Sequence, residues 1–371
     1  MRITVNRAEL ASALGWAAKG LPARPVIPVL DGMKLSVDGH MLTLSVFDYE
    51  QSLSVRVSGN DTEAGEVLVD GRDLKRIVSK LPKGKQVTAV LSATGEALTV
   101  ASQGTTWTLP ALPPEEYPAL PGLPPLSGVA AGEAFACSAV RVSRAASRDA
   151  TLPALGCVEL TTHSAALGLT ATDRYRVAFD RLFWTPANPE ARSLTVLVPS
   201  HALETFSSKG QSGKVAIHLS AEMAGFADDA RTLTVRTRSG SFPKWRALLP
   251  AKSPLTLITS APELAAIIGR VGTMCGKGEP IALAYAGGTL TIQAIREGRA
   301  GAASESLPAT ADGADEFEVR FYAPYFTPML DGFDGDVSIG LANDPAKPKA
   351  AIIKPCGNDT FAALVVQTPI R

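Results

Sequence analysis

The stretch Gly210-Gln211-Ser212-Gly213-Lys214 reads at first as a phosphate-binding loop. Such a loop cradles phosphates with backbone amides and follows the pattern GxxxxGK[ST]. Here Ser208 stands where the first glycine is needed and Val215 where Ser or Thr must follow, so a plain turn between helix and strand accounts for it. Asp331, Asp334 and Asp336 bring three carboxylates together as a cation loop would, yet the EF-hand glycine and closing glutamate are not at their positions. Four histidines, His40, His163, His201 and His218, fall in four contexts without a GxSxG serine elbow. Cys137, Cys157, Cys275 and Cys356 form no CxxC pair and read as reduced thiols. None of these gives a nucleophile with its base, and an unrecognised enzyme is left with only the general prior for a chain of this size.

Arginine and lysine are the residues that recur at helical spacing. Arg141, Arg144 and Arg148 follow at three- and four-residue steps, which puts them on one face if Ser138 to Ser147 is helical. Arg72, Arg76 and Lys80 step by four, with Lys75 beside them and Lys83 and Lys85 following, and Arg270 with Lys277 is a weaker version. Singly, each is a solvated helix face. Together they suggest a surface that touches phosphates repeatedly without reading bases. The formal net charge of zero, from 36 basic and 36 acidic residues, excludes a uniformly polybasic binder but not a one-sided basic surface. No helix-turn-helix, zinc-finger or RNA-binding aromatic signature accompanies them.

The elements that would position these residues repeat. Leu42 to Glu50 aligns without gaps on Leu167 to Tyr175, 125 residues on, and more loosely on Leu290 to Gly298. Glu9-Leu10-Ala11 returns as Glu263-Leu264-Ala265, and Val69 to Leu74 returns near Val198 to Leu203 and Phe321 to Phe326. A period this long means whole domains, and 371 residues accommodate three. Each reads as a helix, strands, a second helix and further strands. Asn6 caps a helix to Leu21, Val29 to Val57 forms strands turning at Asp38-Gly39, Arg72 to Leu81 is the second helix, and Val87 to Trp107 is a strand pair around Gly95. Proline-rich linkers follow at 113–125 and 250–254, giving expected domains 1–121, 128–251 and 254–371. With 46% hydrophobic and 19% charged residues each domain can bury a core. No apolar run reaches the roughly 20 residues of a membrane span. The opening segment suits an amphipathic helix better than a secretory signal, and a cytoplasmic protein is expected.

In order and spacing, several phrases resemble the bacterial DNA polymerase III beta subunit, or sliding clamp, family over the whole chain. They are Arg24-Pro25 through Leu30, Phe47-Asp48-Tyr49, Ser147-Arg148-Asp149 with Leu152-Pro153, Ala171 to Arg176, Phe242-Pro243 with Arg246, and Pro369-Ile370-Arg371. The resemblance implies an α+β fold, with three repeated domains of the DNA clamp fold, each with two helices packed on β-sheets. A head-to-tail homodimer would close a six-domain ring around duplex DNA. It would face Arg24, Arg72, Arg76, Lys80, Arg141, Arg144 and Arg148 to the DNA. It would put Trp107 and Met274 in the subunit interface; read without the family, Trp107 is ordinary core.

The resemblance further implies an apolar pocket where the replicative polymerase, the clamp loader and repair proteins attach by short peptides. Its wall would be Leu155, Thr172, Arg174, Tyr175, Arg176, Val177, Pro243, Ala247, Leu248, Val366, Thr368, Pro369, Ile370 and Arg371. The tail departs from the family pattern: Thr368 replaces a methionine, Gln367 an apolar neighbour, and Ala247 a longer side chain. These losses of flexible apolar surface motivate the expectation of a specialised clamp whose altered pocket confers resistance to a peptide-like pocket inhibitor, against plain drift in an ordinary one. A clamp-like decoy that binds partners without loading on DNA is the other reading.

Overall fold

A computed structural model describes residues 1–84, 87–208, 213–248, 253–295, 302–341, 350–357 and 359–368. The chain is built from six modules, each a strand running straight into a helix and then a strand meander. The first is β1 (Arg2–Asn6), α1 (Arg7–Ala17), β2 (Gly32–Asp38), β3 (Met41–Phe47) and β4 (Gln51–Glu63). The second is β5 (Gly65–Asp70), α2 (Gly71–Lys80), β6 (Thr88–Thr94), β7 (Ala97–Ser102) and β8 (Thr105–Pro110). The central repeat gives β9 (Leu126–Ala131), α3 (Gly132–Ser143), β10 (Cys157–Thr162), β11 (Ala166–Thr172) and β12 (Arg176–Pro186). It continues with β13 (Thr195–Pro199), α4 (Ser200–Ser207), β14 (Lys214–Leu219), β15 (Met223–Ala227) and β16 (Arg231–Arg236). The last repeat gives β17 (Leu255–Ser260), α5 (Ala261–Val271), β18 (Ile281–Ala286), β19 (Thr289–Ala294), β20 (Ser304–Pro308) and a short β21 (Thr310–Asp312). It ends with β22 (Glu316–Phe321), α6 (Ala323–Phe326), β23 (Asp336–Leu341), β24 (Ala350–Pro355) and β25 (Ala362–Val366).

Each strand-to-helix switch carries a sequence signal. The Asn6 side chain accepts from the Ala8 and Glu9 amides at 2.8 and 3.3 Å, and Asp70 accepts from Asp73 at 2.7 Å, so exposed donors at the helix starts are satisfied. α1 buries Leu10, Ala13, Leu14, Trp16 and Ala17, and α5 buries Leu264, Ile267, Ile268 and Val271. The strands alternate, as in β7, where Leu98, Val100 and Ser102 point inward.

Within each repeat the two modules exchange their leading strands. β1 pairs with β6 and β5 with β2; β9 pairs with β14 and β13 with β10; β17 pairs with β23 and β22 with β18. Meander edges then join. β4 pairs antiparallel with β16, and β12 antiparallel with β25. The chain accordingly forms two compact units, Met1–Gly132 with Pro186–Asn188 and Ser208–Thr237, and Glu133–Thr185 with Pro189–Ser207 and Arg238–Arg371. The central repeat contributes one meander to each. Among the described residues β8 pairs only with β7, and β20 only with β19.

Two expectations change. Val87 to Trp107 holds three strands rather than two, because Gln103-Gly104, at φ 47° and 82°, makes a second tight turn beyond Gly95. The third helix runs from Gly132 to Ser143 instead of Ser138 to Ser147, ending in tight turns in which the Ala145 and Ala146 amides donate to Val142 and Ser143 carbonyls. No described helix is long and apolar enough to cross a membrane.

Candidate functional site

The turn between β11 and β12 is held almost entirely by its own side chains. Asp173 Oδ1 accepts from the Tyr175 and Arg176 amides, both at 3.0 Å, and Oδ2 accepts from Arg176 Nε at 2.9 Å. The Thr172 hydroxyl donates to the Arg176 carbonyl at 2.7 Å and accepts from the Arg174 amide at 3.1 Å. This network holds Arg174 at φ 81°, a conformation that costs a non-glycine residue about 1–2 kcal/mol. Arg174 and Tyr175 are thereby presented to solvent, Tyr175 at 52% exposure, while Thr172 is buried as the post of the turn.

A second wall comes from β25. Arg176 pairs with Val365 and Val177 with Leu364, and the Val366 amide donates to the Tyr175 carbonyl at 3.0 Å. Val366 faces out at 45% exposure. Tyr175 stacks on Tyr325 at 4.9 Å, Tyr322 meets Tyr325 edge-on at 5.0 Å, and the Arg176 guanidinium lies 5.6 Å from the Tyr325 ring and donates to the Pro324 carbonyl at 3.3 Å. Beneath lies a cluster of Val177, Trp245 and Leu364 with Phe179, Phe242, Ala350 and Ile352 packed against it. The surface therefore offers aromatic and aliphatic contact with arginine at its mouth, as an apolar peptide with polar anchors needs.

Of the residues expected here, Arg174, Tyr175, Pro243 and Val366 are exposed. Leu155, Thr172 and Val177 are buried supports, and Arg176 and Thr368 are half-buried. Ala247 and Leu248 lie in the short helix Trp245–Leu248, and Pro369, Ile370 and Arg371 lie outside the described residues. Tyr322, Pro324 and Tyr325 complete the surface, with Trp245 and Phe179 beneath it, and were not anticipated; the Tyr322-x-x-Tyr325 spacing at a short helix was the available signal. Gln367 is 5% exposed, and its Nε2 has no hydrogen-bond partner among the described residues.

The basic residues divide by what holds them. In the first unit Arg24 and Lys80 are exposed, Arg76 is exposed beside Asp73 at 2.9 Å, and Arg72 is tied to Asp31 and the Pro22 carbonyl. In the second, Arg148 is exposed, while Arg144 donates to the Asp331 carbonyl. Arg141 corrects the expectation. Its guanidinium lies 4.4 Å from the Phe333 ring and 5.2 Å from that of Phe361, 4.0 Å from Asp180, and donates to the Gly332 carbonyl at 3.2 Å. Burial lowers its pKa and the Asp180 carboxylate partly restores it. With α3 ending at Ser143, the three arginines share no helix face, and Arg141 is an internal fastening. Among the described residues, Asp331, Asp334 and Asp336 belong to no group of three side chains that could hold a metal ion.

Known proteins resemble the chain over these same regions. The family model for the DNA polymerase III beta subunit matches with its N-terminal domain at residues 1–121 and its central domain at 131–244. The beta sliding clamp of Streptomyces coelicolor is 36% identical, covering 91% of this chain and 90% of that protein. The beta sliding clamp homolog GriR of Streptomyces muensis is 34% identical over 79% of each. In structure, the DNA polymerase III subunit beta of Pseudomonas aeruginosa bound to griselimycin superposes over the full length of both chains with a TM-score of 0.87 at 24% identity.

Proposed function

Because the chain belongs to the DNA polymerase III beta subunit, or beta sliding clamp, family of non-catalytic processivity factors, we propose that two copies of it close head to tail into a six-domain ring around duplex DNA. The domains are 1–121, 128–251 and 254–371. One observation carries this reading: meander edges join as β4 to β16 and β12 to β25, leaving β8 and β20 as the edges without a second described neighbour. Neither strand carries a lysine or a bulge, and their edge-blunting residues are Glu305 and the terminal prolines Pro110 and Pro308. A third joint of the same kind, made between copies, closes a ring, since a repeated head-to-tail contact must close or polymerise. Met274 and Trp107 belong to that joint.

Arg24, Arg72, Arg76, Lys80, Arg144 and Arg148 then meet phosphates in a sequence-independent manner, and topology supplies retention. The protein acts in the cytoplasm, where the chromosome is. The test is loading by a matched clamp loader onto nicked circular DNA, followed by linearisation. Retention on the circle and loss from the linear form supports the clamp; a dimer that binds partner peptides but never loads is the decoy.

The surface around Tyr175, Tyr325 and Val366 takes the short Gln-plus-hydrophobic peptides of the polymerase, clamp loader and repair proteins. Calorimetric titration with such a peptide checks this, and micromolar binding is expected. A specialised, inhibitor-resistant clamp is favoured by one feature, the buried Gln367 Nε2, next to Thr368 and without a hydrogen-bond partner among the described residues. Likeness does not separate the readings, because GriR and the Streptomyces coelicolor clamp are about equally similar. Griselimycin binding that is unchanged by Q367V and T368M together would remove this second reading.

A further inference from the structure

The tenth residues of α1, α3 and α5 are Trp16, Arg141 and Arg270. In the first unit the Arg231 guanidinium lies 5.8 Å from the Trp16 ring and is held by Asp228 at 2.7 and 2.9 Å. In the second unit the roles are exchanged: Arg141 lies 5.2 Å from Phe361 and 4.0 Å from Asp180. Arg231 and Phe361 hold the same place in the two joints. Arg231 pairs with Val55, and the β12 to β25 register, continued by the Arg181 amide donating to Thr360, sets Phe361 against Asp180. Each joint therefore brings together a guanidinium, a carboxylate that fixes it and an aromatic ring.

The last repeat holds two of the three. Arg270 makes a two-point pair with Glu305, at 2.5 and 2.9 Å. Glu305 faces Ile292 within its meander as Asp180 faces Leu169, so it occupies the same register. The Arg270 side chain is 59% exposed, against 13% for Arg231 and 18% for Arg141.

We propose that the missing ring is Trp107 of a second copy, which stacks on the Arg270 guanidinium across the β8 to β20 joint. This rests on the head-to-tail reading above. Trp107 pairs with Val100, and Leu109 with Leu98, so the indole sits on the inward face of its sheet. Pairing β8 with β20 in the antiparallel register of the two internal joints sets Thr105 opposite Glu305 and Trp107 opposite Ala303. Thr105 is too short to supply a ring. Trp107 is the diagonal neighbour of Glu305, within the reach of an aromatic side chain. A guanidinium gripped edge-on by a carboxylate keeps its faces free to stack, which a lysine ammonium cannot reproduce.

The experiment is a thermodynamic cycle on the dimer dissociation constant of the full chain, by sedimentation, with R270A, W107A and the double variant, plus R270K and W107F. Circular dichroism melts verify that each variant folds. The expected result is a coupling between Arg270 and Trp107 of about 2- to 30-fold, largely kept in W107F and lost in R270K. Tryptophan emission gives a second readout, because Trp16, Trp184 and Trp245 are buried and Trp107 is not, so dilution into monomer shifts the spectrum to the red. A dimer whose single effects multiply overturns the contact and leaves the ring reading intact. A protein that stays monomeric at tens of micromolar overturns both.

Discussion

The rings of Tyr175 and Tyr325 lie 4.9 Å apart and 7° from parallel, so a turn of the central repeat rests flat on a short helix of the last one. Such a pair contributes about 0.5–1.5 kcal/mol beyond its buried area. It also fixes the more exposed ring.

Tyr325→Ala is therefore expected to weaken binding of a Gln-plus-hydrophobic peptide by about 2- to 13-fold, through loss of the stack that positions Tyr175. Tyr325→Phe keeps the plane and leaves affinity near its starting value. Calorimetry on the three proteins measures this directly.

Asp173 satisfies two amides and one guanidinium in a shielded turn, so Asp173→Ala is expected to destabilise the protein by about 3 kcal/mol in urea unfolding. Arg174→Gly removes the left-handed strain and raises stability by about 1 kcal/mol. The same change deletes a cation at the pocket mouth, so peptide affinity falls as stability rises.

Arg141→Ala leaves Asp180 buried without its cation and strips two rings of their guanidinium, an expected loss of about 3–5 kcal/mol in unfolding free energy. It leaves the salt dependence of DNA binding unchanged. Arg148→Ala does the reverse: stability stays within about 0.5 kcal/mol, and the slope of log K against log salt falls by about 1. Salt titrations and urea melts on both variants separate the roles.

Burial pushes the Tyr117 phenol up to about 12, although it accepts a hydrogen bond from the Phe47 amide at 2.8 Å. The folded value lies above the unfolded value near 10, so its contribution is full below pH 10 and is lost as pH rises toward 12. Unfolding free energy is expected to fall by about 2–3 kcal/mol over that window. Tyr117→Phe flattens the decline, as denaturant melts at pH 9.5 and 12 would register.

The repeat was legible because equivalent residues do equivalent work. Asp48 accepts from the Glu50 and Gln51 amides just as Asp173 does two and three residues on, and Tyr49 and Arg174 both take a positive φ. That shared geometry preserves the aligned phrases around them. The strand-to-helix switches were legible through Asn6 and Asp70 for the same reason. Arg141 was not: its rings at Phe333 and Phe361 lie about 200 residues away in sequence, and helical spacing reports only which residues share a face. Nor does alternation of apolar residues say which meander a leading strand joins, so the exchange of β1 and β5 had to be seen.

That exchange governs how the protein can be made. β1 finds its neighbour β6 only after Thr88–Thr94 has been synthesised, a delay of roughly 4–17 s at ribosomal speeds. Until then β1 has only its irregular pairing with β4 of its own meander and keeps its other edge open, as β17 does with the short β21 before β23 is made. No single module can complete its own sheet. A ribosome that stalls between the two halves of a repeat releases a chain whose last repeat is unfinished, and duplication or loss of a single module leaves a leading strand without its second neighbour.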